Sequence, residues 1–330
     1  MSKRPLPPPR TGPAPATGET AGSGPAAAGR VPVARGPVAR AVDGLTGRAI
    51  AAAAARAAEP GGLRFTERQL YYETCRVLSP GAALLRRLPG TPAPVLRLPV
   101  FTRALEAYGR ENVPGLLPPP PVPRLRADPG TADPAGEPER PGAAEPDLYD
   151  YGLPRLLLCQ DRATAGMLLA NHVHLEAACP VFAAADALPL DPRLLAALQR
   201  AEGATVYVLH DASTTGAALP ALVRSGLGPA PGLRVVSLGL VPRHAAALRL
   251  PAGRGPAPGR AALAALPAAL RTREADWLAG GRFAELAAVP PDRLVRTVLR
   301  LTRGPRQPRD SLWSGLRGLR GTGFMTWPAA

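Results

Sequence analysis

RLLLCQDRATAGMLLANHVHLEAACPVFAAA, residues 155–185, reads as a strand, a helix and a second strand. RLLLC (155–159) is a continuous apolar run, DRATAGMLLANHVHLEA (161–177) has helical period, and VFAAA (181–185) is apolar again. Continuously apolar strands suit a sheet buried on both faces, and parallel strands need a crossover helix to join them. The same rhythm continues downstream. DPRLLAALQRAEG (191–203) reads as a helix closed by Gly203, TVYVLH (205–210) as a strand, TTGAALPALVRSG (214–226) as a helix and LRVVSLGL (233–240) as a fourth strand. Short strands alternating with longer helices predict an α/β domain around a parallel sheet. The segment from Arg260 to Arg303 reads as helices.

Upstream the pattern is helical throughout. DGLTGRAIAAAAARAAEPGG (43–62) is a strong helix former closed by Pro60 and a glycine pair. In RFTERQLYYETCRVLSPG (64–81), Thr66 can cap a helix whose apolar set is Leu70, Tyr71, Cys75 and Leu78. VFTRALEAYGREN (100–112) is a third helical pattern, with Thr102 as a possible cap. Three helices in so short a span suit a winged-helix or helix-turn-helix module, in which Arg103 and Arg110 would face nucleic acid.

Between and around these regions lie segments of another kind. The 43 prolines and 35 glycines of the 330 residues gather in 1–40, 114–146, 251–260 and 304–309. Such stretches cannot bury enough apolar surface to offset their ordering entropy. The expected organisation is a disordered N-terminus (1–42), a winged-helix-like DNA-binding domain (43–113), a linker (114–149), a parallel-sheet domain with C-terminal helices (150–303) and a flexible tail (304–330) carrying the isolated Trp313 and Trp327. Three cysteines without a CxxC pair suit free thiols in a reducing compartment. No leader pattern follows the first residues and no window offers 18 uncharged apolar residues. A cytoplasmic protein without a membrane partner is therefore expected.

Forty Lys plus Arg against 25 Asp plus Glu give a formal charge of +15, nearly all of it from Arg. A surplus of this size suits a polyanionic partner, although a genome rich in G and C also inflates Arg. In PPDRLVRTVLRLTRG (290–304), Arg293, Arg296, Arg300 and Arg303 recur at helical spacing, so one face could track phosphates.

Ligands of parallel sheets gather at the carboxyl ends of the strands. Here the first strand ends in Cys159-Gln160-Asp161 and the third in His210-Asp211-Ala212-Ser213-Thr214-Thr215-Gly216. A polar run with an acid, followed by Gly at a helix start, could hold a hard cation or an anion, the latter at Thr214, Thr215 and Gly216. That run lacks the Lys of a P-loop. His172 and His174 lie two apart on the expected helix, which does not suit a zinc pair.

TERQLYY (66–72), followed by LLLCQD (156–161) and VLHDASTTG (208–216), resembles the A subunit of topoisomerase VI and its relative, the meiotic double-strand-break transesterase. The resemblance spans roughly residues 45–245, keeps the domain order, and extends to LGLVPRH (238–244). It implies a winged-helix domain followed by a Toprim domain. It matches Thr66, Arg68, Tyr71 and Tyr72 to the family's tyrosine motif, with Tyr72 as the nucleophile that attacks a DNA phosphate. It places an Mg²⁺ site at Gln160, Asp211 and Ser213, with Asp161 as a neighbour that could contribute. Only Asp211 of the family's three acids is present there, and Gln160 and Ser213 are neutral. Mg²⁺ favours carboxylate oxygens, and a glutamine amide brings neither charge nor a titratable proton.

The expected function is thus DNA binding by a protein with a degenerate Toprim-like domain that does not cleave. Mg²⁺-dependent strand cleavage through Tyr72 is the alternative, and binding of a phosphorylated small molecule at Ser213–Gly216 is a third reading. Duplex DNA is the expected partner, a homodimer is possible, and an ATPase subunit is implied by the family resemblance alone. Tyr71 is expected in the core and Tyr72→Phe is expected to leave folding nearly unchanged.

Overall fold

The structure, a computed structural model, describes residues 37–79, 90–121, 152–228 and 232–303, with side chains from Thr46 onward. Residues 1–36 of the N-terminus expected to be disordered (1–42), residues 122–149 of the linker (114–149) and the tail from residue 304 with Trp313 and Trp327 lie outside the described residues, whereas residues 37–42 are helical and correct that expectation.

Three helices form the N-terminal part: α1 (Pro37–Ala58), α2 (Glu67–Leu78) and α3 (Leu98–Tyr108). Thr66 caps α2 as its position suggests. Its hydroxyl accepts the Gln69 N–H at 3.2 Å and the Gln69 side chain accepts the Thr66 N–H at 2.9 Å, a reciprocal capping box. Helix α3 starts four residues before Thr102, because Pro99 supplies the first-turn residue that needs no N–H partner. Thr102 lies inside the helix and donates to Glu67 Oε1 at 3.2 Å. Phe65 and Leu116 form an isolated parallel bridge, and no β-hairpin accompanies these helices among the described residues.

The second part alternates as its sequence predicts. The order is β1 (Arg155–Cys159), α4 (Arg162–Ala170), α5 (Val173–Ala177), β2 (Val181–Ala183), α6 (Ala184–Ala187), α7 (Pro192–Arg200), β3 (Thr205–Leu209), α8 (Thr214–Leu227) and β4 (Arg234–Ser237). The four strands form one parallel sheet in the order β2-β1-β3-β4, so the chain has an α/β fold. The single helix expected over 161–177 breaks at Asn171, whose side chain leaves the helix to bind the backbone of Arg64. It accepts the Arg64 N–H at 2.9 Å and donates to the Arg64 carbonyl at 2.8 Å. His172 follows in the left-handed region at φ 55°.

The all-helical reading of 260–303 needs correction. Preceded by α9 (Pro242–Ala247), this region holds an antiparallel ribbon of β5 (Gly253–Arg254) and β6 (Arg282–Phe283) around α10 (Arg260–Ala264) and α11 (Thr272–Ala279). A 3-10 turn (Leu286–Ala288) and α12 (Pro291–Thr302) follow. The ribbon exists because Gly253 has no side chain: a Cβ there would lie 2.4 Å from the Phe283 ring.

Strand alternation divides the interior into two. Leu156 and Leu158 face Leu198, Val206, Val208 and Val223 on one side of the sheet. Leu157 and Cys159 face the other way, into a core that also contains Ile50, Phe65, Tyr71, Met167 and Val298. The helical part and the sheet therefore share one core rather than owning separate ones. Among the described residues no helix is long and apolar enough to cross a membrane.

Candidate functional site

At the carboxyl end of the sheet, each polar side chain holds a piece of nearby backbone. Gln160 Oε1 accepts the Asp211 N–H at 2.9 Å, tying the end of β1 to the end of β3. Asp161 caps α4, accepting the Thr164 N–H at 2.8 Å and its hydroxyl as well. Ser213 caps α8, with its hydroxyl 3.0 Å from the Gly216 N and 3.2 Å from the Thr215 hydroxyl. In the candidate anion nest at Thr214, Thr215 and Gly216, the Gly216 N–H is thereby taken from within. A Cβ on Gly216 would lie 2.4 Å from the Asp211 carbonyl, so even the backbone is tightly enclosed.

Asp211 takes its donor from an unexpected place. Its carboxylate accepts the Leu286 N–H at 2.6 Å. Ala212 and Ala284 exchange two backbone hydrogen bonds of 3.0 Å each, which laces residues 284–286 onto the turn after β3. This brings in Glu285, an acid that sequence reasoning missed. Its one signal is its setting: FAELAAVPP (283–291) contains no other charge. An isolated acid in an apolar run must be paired where it folds.

Glu285 joins the sheet to the tyrosine helix. Arg68 Nη2 lies 2.8 Å from Glu285 Oε1, and the Tyr72 phenol is close enough to the same carboxylate to feel its charge. One turn on, Arg76 pairs with Glu73 at 2.7 Å and donates to the Ala288 carbonyl. The motif residues Arg68 and Tyr72 and the strand-end Asp211 are therefore brought together, with Glu285 between them.

Electrostatics follows from this enclosure. Burial pushes the Tyr72 phenol far above its ordinary range, and the nearby Glu285 charge adds to the effect. Tyr71 is raised to about 12, first by burial and then by Cys75. Burial also raises Asp211 to about 6, with Glu285 and Asp161 opposing its ionisation and the Leu286 N–H favouring it. Glu285 is raised by burial against the pull of Arg68. Tyr71 is in the core as expected, and Tyr72 is buried beside it: the two are 4% and 3% exposed. Position 72 lies at the seam where α2 meets the turn after Glu285, so both successive rings meet protein.

Tyr72→Phe is accordingly expected to cost about 1 kcal/mol, because a buried hydroxyl beside the half-buried Glu285 carboxylate is lost. Urea denaturation at neutral pH measures it, and an unchanged midpoint would show that the hydroxyl makes no stabilising contact there.

The residues named for Mg²⁺ are each engaged in local hydrogen bonds. Gln160, Asp161, Ser213 and Asp211 each direct oxygen at local N–H or hydroxyl groups. Among the described residues no group of three His, Cys, Asp or Glu is arranged to hold a metal.

The arginines divide. Arg110 is paired with Glu67 at 2.7 Å, and Arg103 is exposed beside the Pro99 carbonyl. Arg293, Arg296 and Arg300 line a cleft at the end of β4, and Arg296 also pairs with Asp292. Arg303, expected on the same face, turns away to bridge Glu176 at 2.8 Å. No protein-family model, curated protein or solved structure matches the chain.

Proposed function

We propose that this chain binds nucleic acid through a Toprim-like α/β domain joined to a winged-helix-like module, and that it binds without cutting. The carrying observation is the state of Tyr72: 3% exposed, with its phenolate disfavoured by burial and by the neighbouring Glu285 charge. A nucleophile for a DNA phosphate must reach solvent and lose its proton, and burial opposes both. Binding itself draws support from the +15 charge and from Arg293 and Arg300, which have no ion-pair partner among the described residues. Duplex DNA is the proposed partner.

Affinity for a duplex should fall linearly on a log–log plot against salt, with slope about −2.7 if three phosphates are neutralised. Millimolar Mg²⁺ should produce no covalent protein–DNA product. A flat salt response with no binding at low salt would overturn the proposal.

One observation favours the cleaving alternative. A phenol beside a carboxylate of raised pKa is a nucleophile near a proton acceptor. It could act only if α2 and the turn carrying Glu285 separated. A covalent adduct abolished by Tyr72→Phe would establish it over the non-cleaving reading.

A further inference from the structure

A cleft of about 860 Å³ opens at the carboxyl end of β4, between the turn Ser237–Leu240, α9 and α12. Its walls are largely hydrocarbon, contributed by Leu238, Leu248, Leu294 and Leu301. Among the described residues every charged side chain on it is an arginine, and no carboxylate lines it. Arg296 is partly neutralised by Asp292, whereas Arg293 and Arg300 have no carboxylate partner among the described residues. Partnerless guanidiniums facing an apolar concavity favour an anion, because the low-dielectric wall strengthens the attraction.

Size and position narrow the choice. The volume lies within the range of small-molecule sites and far exceeds a lone inorganic anion. The leucine walls need a body to cover them, while the arginines need phosphate oxygens, which a guanidinium can meet with two parallel bonds. The cleft lies at the carboxyl ends of parallel strands, where such folds receive ligands. Arg293 to Arg300 cover about 10 Å of helix axis, enough to serve a phosphate without filling the leucine-lined space.

We propose that this cleft holds one nucleotide, with base and sugar against the leucine walls and the phosphate on the α12 arginines. The inference deepens the nucleic-acid reading and rests on it for the choice of ligand body. The nucleotide has two possible sources, a free deoxynucleoside monophosphate or the unpaired end of a DNA strand.

The full-length chain can be titrated calorimetrically at low salt with dAMP, with a blunt duplex and with the same duplex carrying a short single-stranded end. Arg293→Gln with Arg300→Gln should weaken dAMP binding at least about tenfold per guanidinium. Leu301→Trp adds a ring at an exposed rim position, leaves the charge intact and should weaken dAMP binding comparably. Unchanged melting temperatures certify that both variants fold. Preference for the single-stranded end over the blunt duplex identifies the strand end as the source, and tight dAMP binding without that preference identifies the free nucleotide. If Leu301→Trp is silent while the arginine variant weakens all ligands, surface charge alone is at work and the inference falls. It also falls if duplex binds but dAMP does not, or if a fatty acid occupies the cleft and dAMP fails to displace it. Binding of dAMP with no duplex binding would uphold the cleft and overturn the nucleic-acid reading.

Discussion

Tyr71→Ala is expected to lower stability by about 3 to 5 kcal/mol, the range for truncating a buried aromatic ring. The ring is 4% exposed and meets Phe101 edge-on at a centroid distance of 5.4 Å. Its hydroxyl donates to the Leu96 carbonyl at 2.6 Å, tying α2 to the residues before α3. Truncation removes the ring, leaves a cavity in the core shared by the helices and the sheet, and orphans that carbonyl. Tyr71→Phe separates these contributions, since it keeps the ring and should cost only about 1 kcal/mol. Equilibrium urea unfolding with an unchanged slope measures both. A loss below 1 kcal/mol for the alanine variant would mean that α2 is not seated as described.

Asp211→Asn is expected to act in the opposite direction and stabilise the protein at neutral pH. Its carboxyl has an ordinary value of 3.8 and is raised by burial to about 6 in the fold. Between those values the folded state binds more protons than the unfolded chain, so stability falls as pH rises through the window. The difference of 6 − 3.8, about 2 units at 1.36 kcal/mol each, sets an upper bound of about 3 kcal/mol above pH 6. Asparagine keeps an oxygen for the Leu286 N–H and has no proton to lose. The variant should therefore match the parent near pH 4, exceed it by up to about 3 kcal/mol at pH 7.5, and show a flatter pH profile. Glu285 and Glu73 are also raised by burial, so a residual slope of the same sign should remain. A variant less stable than the parent at pH 7.5 would show that the Asp211 charge is favourably solvated or paired.

Together these substitutions separate two roles at the junction of helices and sheet. Tyr71 holds the junction together, and Asp211 is kept there against a cost. Carboxyls of raised pKa beside a buried phenol are the kind of perturbation that marks functional positions. The same burial withholds the phenol from a substrate while the junction stays closed.

What was legible in the sequence was whatever short-range periodicity controls. The four parallel strands were visible because Leu156–Leu158 and TVYVL (205–209) are apolar runs between helical segments of the right length. The α2 cap was visible because Thr66 and Gln69 satisfy each other three residues apart. The arginine face of α12 was visible for Arg293, Arg296 and Arg300, but Arg303 was lost to Glu176, 127 residues away in sequence.

Tertiary structure alone decided the rest. No local pattern says that Gln160 would hold the Asp211 N–H, that Leu286 would hold the Asp211 carboxylate, or that Glu285 would lie between Arg68 and Tyr72. These contacts join β1, β3, α2 and the turn before α12. The sequence by itself determined most of the strands and helices, since each must bury its apolar face at its own period, but not the β5–β6 ribbon or the break at Asn171. Whether Tyr72 is a free nucleophile or a buried side chain depended on what the chain brings back more than 200 residues later. A phenol's proton affinity is set by the dielectric and charges around it, and those belong to the packed structure.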